Sequence, residues 1–317
     1  MNFIYENNKK YNINIIRTGN KLFIDIINNY LLQNDLIIGI DFEFKNKNIA
    51  LMQINLECNE LEPYIFVIYP PELNKKEKNI LIKLLTLPKI IKILHGGESL
   101  DIPYLINTFF KSDKKLVNKF LTNLIDTKFL CEYYHFENRI NKKCNIYDLL
   151  NEFKIINHEK INFLEKIENK IGPIYLANFD INNLNKNLIF YAIYDVVYLP
   201  ELYKKMCINN IVYKIIIPEL TQVVYYNKYF NTYYQKIKIY VDQLNNTNVN
   251  NNKLIDYYKN NYDKIMQSIL NLNSINYFKS FIEIITKFIF YNKLTNNNSN
   301  QLKKIINRKN LYKLIIT

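Results

Sequence analysis

The chain has 317 residues, is 49% hydrophobic and carries a formal charge of +13 at pH 7. That length predicts two domains, or one domain with a large extension, and the apolar content suffices for a substantial core. No apolar run reaches the length of a membrane span, and the start, MNFIYENNKKYNI, lacks the apolar stretch of a secretory leader, so neither is expected.

The charge is uneven. Residues 206–317 hold 15 Lys and Arg against 5 Asp and Glu, a net of +10, which leaves +3 for the first 205 residues. A basic C-terminal part implies a polyanionic partner. Only three arginines occur, Arg17, Arg139 and Arg308, while Asn, Ile, Lys and Tyr are abundant. That is the composition of an AT-rich coding sequence, so part of the basicity carries no function. The four cysteines, Cys58, Cys131, Cys144 and Cys207, show no metal or disulfide spacing. They predict reduced thiols in a soluble, intracellular protein.

In chain order, LIIGIDFEF (36–44) reads as a buried strand of β-branched and aromatic residues. KNKN (45–48) reads as a turn and IALMQINL (49–56) as the returning strand of a hairpin. PYIFVIY (63–69) is a third strand, and NKKEKNILIKLLTL (74–87) has helical spacing. KIIKILHG (89–96) is a strand ending in glycine. SLDIPYLINTFF (99–110) is a helix, with Ser99 as its N-cap and Pro103 in the first turn. Residues 116–136 hold a short strand and then a helix. NLIFYAIYDVVYLPELYKKM (187–206) is a strong helix, with Pro200 as a kink. A hairpin followed by strand–helix units predicts a mixed α/β sheet over residues 1–205. From 206 to 317 the pattern is mainly helical, interrupted by polar stretches at 245–252 and 296–300.

The acids carry the chemistry. Asp41 and Glu43 stand on one face of the first strand, roughly 6–7 Å apart along it. Two carboxylates so placed repel each other and need a cation, a proton or open water. A solvent-facing strand end meets that need as readily as a metal does. Asp101 falls on the first turn of a helix, after Gly96 and Gly97, which allow close backbone approach. Tyr191 and Asp195, four residues apart, share a helix face in apolar surroundings, where an unpaired carboxylate is costly.

Taken in order, D-x-E (41–43), H-G-G-x-x-x-D (95–101) and Y-x-x-x-D (191–195) resemble the DEDDy family of 3′–5′ exonucleases, especially its ribonuclease D-like branch. IALMQIN, LIDTKFL and YDVVYLPELY support the resemblance, which covers about residues 25 to 205. It implies a ribonuclease H-like fold, a mixed sheet flanked by helices. It also implies phosphodiester hydrolysis with two divalent ions, Mg²⁺ or Mn²⁺. By motif, Asp41, Glu43, Asp101 and Asp195 are the metal-site acids. Asp41 would serve both ions, Glu43 and Asp195 the first, and Asp101 the second. Tyr191 would orient the attacking water. Hard ions prefer oxygen ligands, which suits carboxylates rather than His or Cys.

One departure stands out. Ribonuclease D-like relatives commonly place the aspartate five residues after the histidine of the second motif, and here His95 to Asp101 is six. Glu98 is the alternative to Asp101. His95 reads as a positioning residue, His135 and His158 as structural or surface residues, and Asp126 as a cap. The expectation is a nuclease acting on nucleic acid with a free 3′ end and releasing 5′-monophosphates, RNA being favoured over DNA. The exonuclease domain would span 1–205, and a basic helical region 206–317 would offer a substrate or protein surface. YYNKYFNTYYQKIKIY (225–240) suits a single-strand channel or helix packing. The rival reading is a domain of the same fold that has lost catalysis and binds nucleic acid or dimerises. A DNA proofreading module is a second rival.

Overall fold

Runs of isoleucine, leucine and phenylalanine broken by asparagine turns build a single sheet in the computed structural model of the protein. The structure describes residues 3–138, 140, 142–207, 218, 221, 222 and 225. The chain divides into two compact units, Met1–Gln222 and Val223–Thr317. The helical readings from 206 onward, residues 225–240 among them, lie almost wholly outside the described residues.

Strands β1 (Phe3–Glu6) and β2 (Lys9–Ile16) form a hairpin turned by Asn7 and Asn8, both in the left-handed region that asparagine tolerates. Helix α1 (Lys21–Leu31) follows, capped by Asn20. Strands β3 (Ile37–Lys45) and β4 (Asn48–Glu57) form the expected second hairpin. Its turn residues, Asn46 and Lys47, have φ of 52° and 65°, the sign that a tight hairpin turn requires. Strand β5 (Tyr64–Ile68) leads to α2 (Lys75–Thr86), which begins with an Asn74–Glu77 capping box. Strand β6 (Ile91–Leu94) leads to α3 (Asp101–Tyr104), which widens into a π turn over Leu105–Phe109. Then come α4 (Lys114–Leu121), β7 (Leu124–Asp126), α5 (Thr127–Asn138), α6 (Ile146–Glu152) and α7 (His158–Ile171). The last described helices are α8 (Lys186–Val197) and α9 (Leu199–Cys207), separated at Tyr198, with Pro200 in the first turn of α9.

The seven strands lie in the order β1-β2-β5-β4-β3-β6-β7. Pairing is antiparallel in β1–β2, β5–β4 and β4–β3 and parallel in β2–β5, β3–β6 and β6–β7. This is the expected mixed sheet with flanking helices. Strand β3 is interior, held by β4 on one side and β6 on the other. Ile38 and Ile40 are fully buried, as are Leu51, Met52, Ile54 and Leu56 of β4. Each such side chain contributes about 1.5–3 kcal/mol by leaving water. The strand that carries Asp41 and Glu43 is therefore among the least movable parts of the molecule.

Two expectations are corrected. Ser99 does not cap α3: Leu100 occupies the N-cap position with no side-chain bond, and the helix starts one residue later than a Ser99 cap requires, because Leu100 O accepts from Tyr104 N (2.9 Å) whereas Ser99 O would face Pro103, which has no N–H. Cys131 and Cys144 are bonded to each other rather than reduced, while Cys58 and Cys207 take part in no disulfide. The chain doubles back after α5 so that their Cα atoms stand 5.9 Å apart, a proximity that a separation of 13 residues does not reveal. Among the described residues no helix is long and apolar enough to cross a membrane.

Gly39 of β3 lets α8 and α9 lie against the sheet. A Cβ there would stand 2.8 Å from the Val196 carbonyl oxygen and 3.3 Å from Leu199 Cβ. A backbone atom cannot move aside as a side-chain tip does. Gly39→Ala is expected to destabilise the protein by about 1–3 kcal/mol, read as a lower urea midpoint. An unchanged midpoint would show that α8 does not depend on this close approach.

Candidate active site

Asp41 and Glu43 point from one face of β3, and Phe42 between them points the other way, its ring 5.9 Å from that of Tyr104. Register with β4 pairs Asp41 with Gln53 and Glu43 with Leu51, then slips between Glu43 and Phe44. Such a slip twists a strand locally and re-aims its side chains. Asp195 comes from the third turn of α8. Oxygens of Asp41, Glu43 and Asp195 all lie within 4.8 Å of one another. Asp101, the first residue of α3, belongs to the same electrostatic cluster: its charge acts on Glu43, and the charge of Asp41 acts on it. Tyr191, one turn before Asp195, donates a hydrogen bond to it. The structure thus brings all five residues singled out in the sequence to one place.

The scaffold beneath them is specific. Asn55 of β4 donates from Nδ2 to the carbonyls of Val196 and Val197, both at 3.3 Å, and so ties the end of α8 to the sheet. Carbonyls at a helix C-terminus lack partners within the helix, and here a side chain supplies one. Asp126, at the end of β7, accepts from the backbone N–H groups of Gly96 (2.8 Å), Gly97 (3.2 Å) and Lys128 (3.0 Å). It holds the loop that leads to Asp101. Gly97 keeps this loop open for its neighbours, since a Cβ would stand 2.9 Å from Leu94 Cδ1 and 3.3 Å from Asp101 Oδ2 and would press on both side chains. His95 bonds Thr127 Oγ1 at 2.9 Å, and burial followed by the charge of Lys128 pushes its pKa down to about 4. It is a neutral positioning residue. Glu98 faces Lys128, 3.4 Å away, and not the acid cluster, so the six-residue spacing leaves Asp101 as the acid of this motif that joins the cluster.

All four carboxyls are pushed upward. Burial lifts Asp41 to about 7, against a bond from the Phe42 backbone. Burial lifts Glu43 well above the carboxylate range, aided by the charges of Asp41, Asp195 and Asp101. Asp101 rises through burial, then Asp41 and Asp126. Asp195 rises through burial, then Asp41 and Glu168, with the bond from Tyr191 opposing. The Tyr191 phenol is itself driven far up, first by Asp195. Among the described residues no lysine or arginine has a part in the shifts of these acids. Glu43 is 5% exposed, and its Oε1 has no hydrogen-bond partner. An orphaned carboxylate oxygen within a cluster of like charges fits a hard divalent cation, which takes oxygen ligands and offsets the repulsion. Asp41, Glu43, Asp195 and Asp101 are the residues available to hold it.

Two nearby groups carried no signal in the sequence. Tyr147 of α6 donates to Glu168 Oε1 of α7 at 2.6 Å. The charge of Glu168 acts on Asp195, and the charge of Asp195 on Tyr147. They stand 21 residues apart on different helices, and only the packing of α7 against α8 brings them to the site.

A family model described as 3′–5′ exonuclease matches residues 16–208, more than half of the chain. The fold and the acid cluster define a nuclease-type domain, and the chain belongs to the 3′–5′ exonuclease family, as the ordered motifs indicated. A curated relative, the uncharacterized protein L533 of Acanthamoeba polyphaga mimivirus, is 32% identical over 288 residues. That alignment covers 80% of this chain and 57% of the relative, so the chain spans little more than half of its length. Among solved structures, Trypanosoma brucei RNase D is similar at 13% identity and a TM-score of 0.49, covering 68% of this chain and 72% of that one. Escherichia coli RNase D, described as an exoribonuclease involved in structured RNA processing, is similar at 14% identity and a TM-score of 0.47. It covers 96% of this chain and 74% of its own.

A pH dependence follows from the burial of Asp41. An aspartate ordinarily ionises near 3.8, whereas Asp41 in the folded, metal-free protein ionises near 7. Between those values the folded state holds a proton that the unfolded chain has released, so stability falls as pH rises through this window. Lys92, buried in β6 with its pKa pushed down to about 7, acts in the opposite sense. The difference between the wild type and Asp41→Asn isolates the carboxyl. In EDTA the melting temperature of Asp41→Asn should exceed that of the wild type at pH 8 and approach it at pH 5. Equal values at both pH values would show that burial does not raise the Asp41 carboxyl.

Proposed function

We propose that the chain is a metal-dependent 3′–5′ exonuclease that hydrolyses phosphodiester bonds from a free 3′ end and releases 5′-monophosphates. The convergence of Asp41, Glu43, Asp195 and Asp101 with Tyr191, on a domain of the exonuclease family, carries this reading. Two ions of the Mg²⁺ or Mn²⁺ class would supply the charge that activates water near neutral pH and stabilises the departing 3′ oxygen. On this reading Asp41 serves both ions, Glu43 and Asp195 complete the first site, and Asp101 serves the second. Tyr191 keeps its phenolic proton at any working pH, because the charge of Asp195 disfavours the phenolate. It therefore acts as a hydrogen-bond donor and acceptor that orients water, and not as a base. The rigidity of β3 and the Asn55 tie to α8 hold the acids in place before substrate arrives, which is what positioning catalysis requires.

The preferred substrate is RNA, in line with the ribonuclease D-like motif order. Residues 1–205 form the exonuclease domain on this reading. Residues 206–317, with a net charge of +10, supply a basic surface for the phosphate backbone, and binding should weaken steeply with salt. The protein acts in an intracellular compartment.

The test is a gel assay with 5′-labelled single-stranded RNA and DNA of one sequence, in Mg²⁺, Mn²⁺ or EDTA. A metal-dependent ladder that shortens from the 3′ end is expected, with RNA degraded faster. Asp41→Asn should lower the rate by at least about 10³-fold with the fold intact. Tyr191→Phe should lower it by about 10–10²-fold with little change in binding. Binding without cleavage of either substrate would replace this reading with a non-catalytic nucleic-acid-binding domain.

A further inference from the structure

Away from the acid cluster, Cys131, His135 and Cys144 bring ligand atoms within 4.8 Å of one another. Cys131 and His135 lie one turn apart on α5, and Cys144 comes from the returning segment before α6. A disulfide needs only the two sulfurs. Here an imidazole that is 3% exposed is packed against them as well, with Cys131 Sγ 3.8 Å from Nε2 and Cys144 Sγ 3.5 Å from Nδ1. The ring is held from behind: Nδ1 lies 3.0 Å from the carbonyl oxygen of Lys142, which fixes the proton on Nδ1 and leaves the lone pair of Nε2 free. On the Nε2 side stands a carboxylate, Glu152 Oε2, at 3.6 Å. Glu152 is oriented in turn by a hydrogen bond from Tyr134.

We propose that Cys131, Cys144, His135 and Glu152, with the two cysteines reduced, form a structural site for a zinc-class divalent ion. Two thiolates and an imidazole are the soft and borderline donors that such an ion prefers, and four ligands complete a tetrahedron. With metal–ligand bonds of roughly 2.0–2.3 Å, tetrahedral ligands stand roughly 3.3–3.8 Å apart. The Nε2 distances to Cys131 and Glu152 already meet this, whereas Cys144 Sγ stands nearer Nδ1 and has to swing toward Nε2. The sulfurs must part, which breaking their bond permits. Reduction by a cellular dithiol gives two thiols as the dithiol becomes a disulfide. Binding of the ion then releases their two protons and leaves two thiolates on the metal. Either cross-link, the disulfide or the ion, fastens the segment before α6 to α5. The site also touches the loop of the acid cluster, because the Cys144 backbone is hydrogen-bonded to His95, the residue before Gly96 and Gly97.

This proposal does not rest on the exonuclease reading. Its test is the zinc content of the full chain, purified with a thiol reductant, incubated with zinc and freed of excess by gel filtration. About one zinc per chain is expected that a mercurial thiol reagent releases and that Asp41→Asn retains, which separates it from metal on carboxylates. Glu152→Gln, which keeps the cysteines, should weaken zinc affinity about tenfold or more. Cys144→Ser should lose this zinc. Because that variant risks misfolding, a second measurement uses the wild type: cobalt in place of zinc should show a thiolate-to-metal charge-transfer band. Any of four results overturns the proposal: a disulfide that persists under the reductant, two free thiols without metal, zinc that the thiol reagent does not release, or cobalt without the band.

Discussion

The repulsion among four carboxyls organises this domain. Asp41, Glu43, Asp101 and Asp195 are brought together from one strand and two helices; burial pushes all four upward, and neighbouring acids add to the rise of Glu43, Asp101 and Asp195. A cluster of this kind opposes folding, so the surrounding structure must overdetermine it. It does so through an interior strand, a side chain that ties α8 to the sheet, and a loop anchored on Asp126. Strain of this sort is concentrated at functional sites because the same crowding that costs stability gives affinity for a counter-ion. The apolar core of the hairpin is the counterweight that makes the arrangement tolerable.

The geometry also explains which groups are bystanders. Glu98 has a nearby lysine and turns to it. Asp126 spends its oxygens on backbone N–H groups and acts by shaping a loop. His95 is neutral and bonded, and it transmits position rather than charge. Glu43, in contrast, keeps a buried oxygen without any partner among the described residues, as a ligand of a bound cation would need. Tyr147 and Glu168 border Asp195 and add to its electrostatic environment from helices that the motifs do not include. The Cys131–His135–Cys144 group lies outside the acid cluster yet reaches it through the Cys144 backbone and His95.

Much of the site was legible in the residues because its determinants are local. A two-residue period puts Asp41 and Glu43 on one face, a four-residue spacing puts Tyr191 with Asp195, and Pro200 marks the break between α8 and α9. The β3–β4 hairpin was readable from two apolar runs around an asparagine–lysine turn. The first hairpin, β1–β2, was not singled out, since β1 is short and β2 mixes lysine and asparagine with its isoleucines. The start of α3 was misplaced, because its N-terminus is shaped by Gly96, Gly97 and Asp126 rather than by a capping side chain. Cys131 and Cys144 showed no recognisable spacing and yet meet through the turn after α5.

The sequence by itself determined the elements, the faces on which the acids lie, and the family to which their order belongs. Periodicity and motif spacing are properties of neighbours along the chain, and they survive without knowledge of the fold. The tertiary structure decided what lies across from what: that oxygens of Asp41, Glu43 and Asp195 meet within 4.8 Å of one another, and that Gly39 and Asn55 admit and fasten α8. It also placed His135 against Cys144 and Glu152 from beyond its own helix. Those relations depend on sheet order and helix packing, which join residues tens of positions apart through close packing that no local pattern records.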